Sequence, residues 1–219
     1  MKKNWWKGLA VLILTYVILQ GLVGGVPRQP ILNESIRNVY FHVPLWFGMI
    51  IMLLTSAVYS IRYLRNGRFD DDGVAVEFAN TAILFGFLGC LTGALWANFT
   101  WGEPWPNDPK LNSVAVGMLM YLAYLILRGS FDDEQRRARI SAVYNIFAFA
   151  VFVPLIFVVP RLTDSLHPGN GGNPAFGKYD MDSQMRMVFY PAVIGFTLLG
   201  VWITELRVRL RRVKAVLEE

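Results

Sequence analysis

His42 and His167 are the only histidines in this chain of 219 residues. Between them runs Trp96-Ala97-Asn98-Phe99-Thr100-Trp101-Gly102-Glu103-Pro104-Trp105-Pro106-Asn107-Asp108-Pro109-Lys110-Leu111, which holds three of the seven tryptophans. Neutral imidazole is a metal ligand, and two imidazoles can take one haem iron from opposite faces. Aromatic rings can pack on a flat macrocycle, and Lys110, Arg161 or Lys178 can pair with propionates. Zinc is the weaker alternative. It normally needs at least three protein ligands, so Asp108 or Glu103 would have to join the histidines, and it gives no use for the rings. Each feature also has an ordinary reading: tryptophans gather at membrane interfaces, and the charged residues are solvated by default.

The elements that must position these groups are apolar blocks. Hydrophobic residues make up 54% of the chain and charged ones only 17%, against about 25% charged in soluble domains. The blocks fall at roughly 9–26, 39–61, 74–97, 114–127, 140–159 and 187–206, and about 20 apolar residues cross the ~30 Å hydrocarbon core as a helix. The expectation is an all-α polytopic membrane protein of six transmembrane helices, with residues 1–219 forming a single membrane domain. The blocks are too long and uniform for barrel strands. Glycine and three prolines after Trp101 break any continuous helix there, so 98–113 reads as a stiff aromatic loop.

Lys2, Lys3 and Lys7 before the first block resemble a signal peptide, but no Ala-x-Ala site follows Gly24-Gly25-Val26-Pro27 and five more spans do, so a retained helix is expected. Gly21 and Gly25 are spaced for close helix packing. Cys90 is the sole cysteine, sits in an apolar block and has no partner for an internal disulfide. Asn80 and Asn145 are expected to bond between helices, and Glu77 and Glu205 fall near the cytoplasmic ends of their spans. The net charge of +5 comes from short clusters between blocks, which argues against nucleic acid and for a membrane.

Those clusters set an orientation. Fifteen of the 21 basic residues lie on the side of the N-terminus and six on the other. By the positive-inside rule both termini are cytoplasmic, and 27–38, 98–113 and 160–186 face outward. His42 then sits just inside the second span and His167 in the last outer loop. Pro44 and Pro168 follow them, near the starts of segments that re-enter the membrane, where proline is tolerated.

The loop resembles the tryptophan-rich (WWD) signature of the haem-handling membrane proteins of cytochrome c maturation, roughly W-G-x-x-W-x-W-D-x-[RK]-L. Trp101, Gly102, Trp105, Asp108, Lys110 and Leu111 match it, and Asn107 stands where a third tryptophan is usual. Gly93-Ala94-Leu95-Trp96, the six spans and the flanking histidines are also similar to that family, and the short six-span form looks like its CcmC branch. The resemblance implies that His42, His167, Trp96, Trp101, Gly102, Trp105, Asp108 and Lys110 bind haem. It implies a b-type, non-covalent haem carried as transient cargo, with His42 and His167 as axial ligands, at the periplasmic face of a bacterial inner membrane. It further implies delivery to the haem chaperone CcmE, partnership with the ABC-type subunits CcmA and CcmB and the small protein CcmD, and no enzymatic turnover.

Three rivals compete. A bis-His membrane cytochrome would need a second haem to carry electrons across the bilayer, and two histidines supply only one. A transporter would place ionisable groups or broken helices at mid-membrane, and the spans carry no such chain of charges. An assembly subunit that binds no ligand would show no visible absorbance.

Overall fold

A computed structural model describes residues 4–28, 32–167 and 181–217. The described residues are helical, without strands, in the order α1 (Trp5–Val23), a 3-10 turn (Asn33–Asn38), α2 (Val39–Asn66), α3 (Phe69–Trp101), α4 (Pro109–Gly129), α5 (Glu134–Phe157), a short α6 (Val159–Leu162) and α7 (Ser183–Leu217). Six helices among the described residues are long and apolar enough to cross a membrane, so the chain is a multi-pass membrane protein. Lys2, Lys3, Pro168 and Lys178, weighed above, lie outside the described residues.

Sequence chemistry explains the boundaries. The first helix stops at Val23, short of the expected 26, where Gly24, Gly25 and Pro27 end it. Gly67 follows α2 with a φ of 66°, a left-handed conformation that glycine adopts without steric cost. Asp70, Asp71 and Asp72 fill the first turn of α3, where negative charge suits the exposed N–H groups. Helices α3 and α7 run well past the apolar blocks at both ends, because amphipathic and charged residues keep the helix going beyond the hydrocarbon. Pro44 lies in the interior of α2, not at its start. It costs one hydrogen bond, at the carbonyl of Tyr40.

Helix α2 is the hub, packed against α3, α5 and α7, while α1 lies on α7 and α4 on α5. Its buried face meets Phe85, Tyr121 and Phe152 through Leu45, Met49, Met52 and Leu53. A second cluster toward the start of α2 joins Tyr40, Met185 and Phe189, with Trp96 against it. Gly21 packs as expected: a Cβ there would lie 3.0 Å from the Phe41 ring. Gly25 is different, lying beyond α1 in open space. Cys90 is half-buried and packs against the main core.

Asn145 bonds between helices, donating to Ser56 Oγ at 2.7 Å and Ser60 Oγ at 2.9 Å. Asn80 does not: its amide reaches Glu77 one turn earlier on α3, at 3.3 Å, because Glu77 is drawn to the same face by Arg207 at 2.8 Å and Arg211 at 3.6 Å. These pairs belong to an ionic cluster at the end of the bundle opposite the histidines. There Arg62 meets Asp71 at 3.2 Å, and Arg128 grips both carboxylate oxygens of Asp72 in a buried fork.

Candidate functional site

At the other end, one carboxylate organises the tryptophan-rich segment. Asp108 is only 1% exposed. It caps α4, accepting hydrogen bonds from the N–H groups of Lys110 (2.9 Å) and Leu111 (3.3 Å), with Pro109 in the first helical position, where its missing N–H costs nothing. Its Oδ2 accepts from Ser165 Oγ at 2.9 Å and from the Leu166 N–H at 2.7 Å. The imidazole of His167 stands 3.1 Å from Oδ1 through Nδ1. Burial alone would push the Asp108 carboxyl up. The hydrogen bonds from Leu166 and Ser165, with the electrostatic pull of His167 and the bond from Leu111, outweigh it and hold the group below the usual carboxylate range. Asp108 therefore stays ionised and joins the start of α4 to the segment before α7.

That ionised partner fixes the His167 tautomer. A carboxylate only accepts, so Nδ1 carries the proton and Nε2 keeps its lone pair. The His167 side chain is 19% exposed and packs edge-on against Trp101, ring centroids 5.0 Å apart. Burial and the positive charge of Lys110 lower its pKa to about 4, against the opposing pull of Asp108. At neutral pH it is a neutral imidazole whose Nε2 carries the lone pair.

His42 is built differently, on the second turn of α2. Its Nδ1 lies 3.1 Å from Thr92 Oγ1 on α3, and its ring is flanked edge-on by Trp46 at 6.2 Å and Trp96 at 6.0 Å. Trp96 is held in turn by its indole N–H, which donates to Ser35 Oγ at 3.2 Å. Gly93 makes room: a Cβ there would fall 2.7 Å from His42 Cε1. Lys110, half-buried in the first turn of α4, acts electrostatically on both imidazoles.

The structure brings His42 together with Trp96, and His167 with Trp101, Asp108 and Lys110, all at one end of the bundle. Helix α3 continues through Trp101, so Trp96 and Trp101 are helical residues and the loop shrinks from the expected 98–113 to 102–108. Gly102, with φ 85°, makes the turn. Trp105 remains 39% exposed, and Glu103 is exposed as expected. Asp108, which would be solvated by default, is buried instead. Asn107, in the place of the usual tryptophan, is exposed and accepts from Asn112 Nδ2 at 2.9 Å. Arg161 is exposed and bonds the Phe157 carbonyl at 3.3 Å, closing the end of α5. Among the described residues no three of His, Cys, Asp and Glu converge as a metal site, which leaves the zinc reading without a ligand set.

Sequence reasoning missed Thr92, Ser165 and Trp46. Trp46 carried a signal, standing one turn after His42 on the same helix face. Thr92 likewise precedes Trp96 by one turn. Ser165 had none, because its partner is 57 residues away.

The chain is 29% identical over 202 residues to heme exporter protein C of Bradyrhizobium diazoefficiens, covering 90% of this chain and 73% of that one. It is 27% identical over 212 residues to the Haemophilus influenzae protein of the same name, covering 92% and 82%. With that of Escherichia coli strain K12 it shares 27% identity over 207 residues, covering 93% and 81%. The sequence profile of CcmC, heme exporter protein C, matches residues 2–218, and the chain therefore belongs to the CcmC family.

Proposed function

We propose that this protein holds haem at the outer surface of a bacterial inner membrane, with His42 and His167 as axial ligands, and delivers it for c-type cytochrome maturation. The relatives' name, heme exporter protein C, supports haem as the cargo. The observation that carries the ligand assignment is the matched state of the two imidazoles. Each has its Nδ1 engaged, by Thr92 or by Asp108, which leaves Nε2 for iron. Ligating histidines ordinarily engage their second nitrogen in this way.

Haem supplies an iron with two open axial positions, and the residues present suit it. Trp96 and Trp101 stand beside the two ligands, Gly102 allows the chain to turn close to the site, and exposed Trp105 offers a ring to the macrocycle face. Lys110 is placed for a propionate, and Asp108 holds the assembly in shape. The haem is b-type and non-covalent, since the sequence has a single cysteine, Cys90, and no Cys-x-x-Cys-His attachment sequence. The protein acts by binding and release, not by chemical turnover. Its acceptor is the chaperone CcmE, and its companions are CcmA, CcmB and CcmD.

The test is the visible spectrum and haem content of protein purified in detergent. Wild type is expected to give a low-spin, six-coordinate spectrum. His42→Ala and His167→Ala should each lose that signature, with the double variant retaining least haem. Two single variants with wild-type spectra in both oxidation states would refute bis-His ligation.

A further inference from the structure

We infer that Thr92 is the positioning residue for His42, fixing which ring nitrogen carries the proton and holding Nε2 toward the haem iron. The inference rests on the reading that His42 is an iron ligand. A threonine hydroxyl has one hydrogen to give. That of Thr92 goes to its own helix, where Oγ1 lies 2.8 Å from the Leu88 carbonyl and 3.1 Å from that of Gly89. Only lone pairs remain for His42, so at 3.1 Å the imidazole Nδ1 must be the donor, and the neighbouring Gly89 carbonyl is a second acceptor for the ring. A neutral ring that donates from Nδ1 has its lone pair on Nε2, the form that binds iron.

Thr92 is held from a second direction. Asn38 Nδ2 donates to its carbonyl at 3.0 Å. Asn38, the residue just before α2, precedes His42 by one turn, so a single residue of α3 receives two neighbouring groups. Trp46 and Trp96 flank the imidazole, and the space left by Gly93 is filled by its Cε1 edge. Rotation of the ring is blocked sterically, and the proton position is set chemically. The two ligands are consequently unequal. His167 donates to a carboxylate and gains basicity, whereas His42 donates to a neutral hydroxyl and remains the weaker donor to iron.

The experiment compares Thr92→Val, which keeps the shape and removes the hydroxyl, with Thr92→Ser, which keeps the hydroxyl. Nitrogen-15 NMR of the haem-free protein in detergent reads the His42 tautomer. Haem affinity, electron paramagnetic resonance g-values and midpoint potential read the loaded form. Wild type and Thr92→Ser are expected to show the Nδ1–H tautomer, and Thr92→Val a reduced share of it, with the Gly89 carbonyl as the remaining acceptor. Loss of a hydrogen-bond partner behind a metal ligand typically weakens binding about 10- to 100-fold, so Thr92→Val should lose haem affinity by at least about tenfold, with shifted g-values and potential. If His42→Ala alters the spectrum but Thr92→Val leaves tautomer and affinity unchanged, the inference is wrong while the ligation stands. If His42→Ala itself leaves the spectrum unchanged, the ligation reading fails and this inference with it.

Discussion

His167 shows how a single residue's surroundings decide its chemistry. An exposed histidine titrates near 6.5, where protons would compete with iron in mild acid. Here burial, reinforced by Lys110, lowers the pKa to about 4. The neutral form is the one that docks against Trp101 and Asp108. A group whose pKa falls on folding favours the folded arrangement fully above its unfolded value, and that contribution drains away as pH drops through the folded value. The docked segment and its lone pair should therefore persist from pH 7 to about 5.5 and fail toward 4. Haem content across that range, with the His167 resonance followed by NMR, checks this. A midpoint near 6.5 for either would contradict it.

At the scale of elements, α3 joins two contrasting ends. Its first turns carry the acids that meet Arg62, Arg128, Arg207 and Arg211, and its last turns carry Thr92, Trp96 and Trp101. Removing one member of a buried ion pair strands the other and costs about 3–5 kcal/mol, while replacing both with apolar residues is often neutral. Arg128→Met should thus sharply lower the melting temperature, and Asp72→Leu/Arg128→Met should recover most of the loss. Both should keep the wild-type haem spectrum wherever they remain folded. A double variant no more stable than the single would deny the pair this role. The six helices were legible in the sequence because apolar blocks of membrane length have few alternatives. Their ends were not, since the acidic run 70–72 and the Arg-rich stretch 207–217 lie outside the apolar blocks yet extend α3 and α7. The histidines and the Trp101–Leu111 motif were legible as local patterns. The carboxylate–imidazole pair, the Thr92 contact and the burial of Asp108 were not, because each depends on residues 50 or more positions apart.

For the whole molecule, the outstanding property is sidedness. The histidines and the ionic cluster occupy opposite ends of the bundle, and Arg62, Arg128, Arg207 and Arg211, four of the 15 basic residues assigned to the side of the N-terminus, belong to the ionic cluster. The expected arrangement is the Trp101–Asp108 end outside and both termini inside. Glu103→Cys and Ser130→Cys, each in a Cys90→Ala background, can be probed with an impermeant thiol reagent in spheroplasts. Labelling is expected at 103 and not at 130, and the reverse pattern would invert the orientation. Length adds to the picture. At 1.5 Å per residue, the 33 residues of α3 span about 50 Å, against a hydrocarbon core of about 30 Å, so the helix is longer than the core it crosses.

The Asp108 carboxylate also bears on how such a site diversifies. One side chain starts a helix, pins the Ser165–Leu166 segment and orients an imidazole, so a change there alters three things together and few replacements can satisfy all of them. Positions tied to nothing else are freer. Asn107 is one: it faces outward, its side chain bonds nearby Asn112, and it stands in the place of the tryptophan usual in the motif. Variation in how tightly members of the family grip their cargo is therefore expected to accumulate at such rim positions, leaving the junction beneath them unaltered.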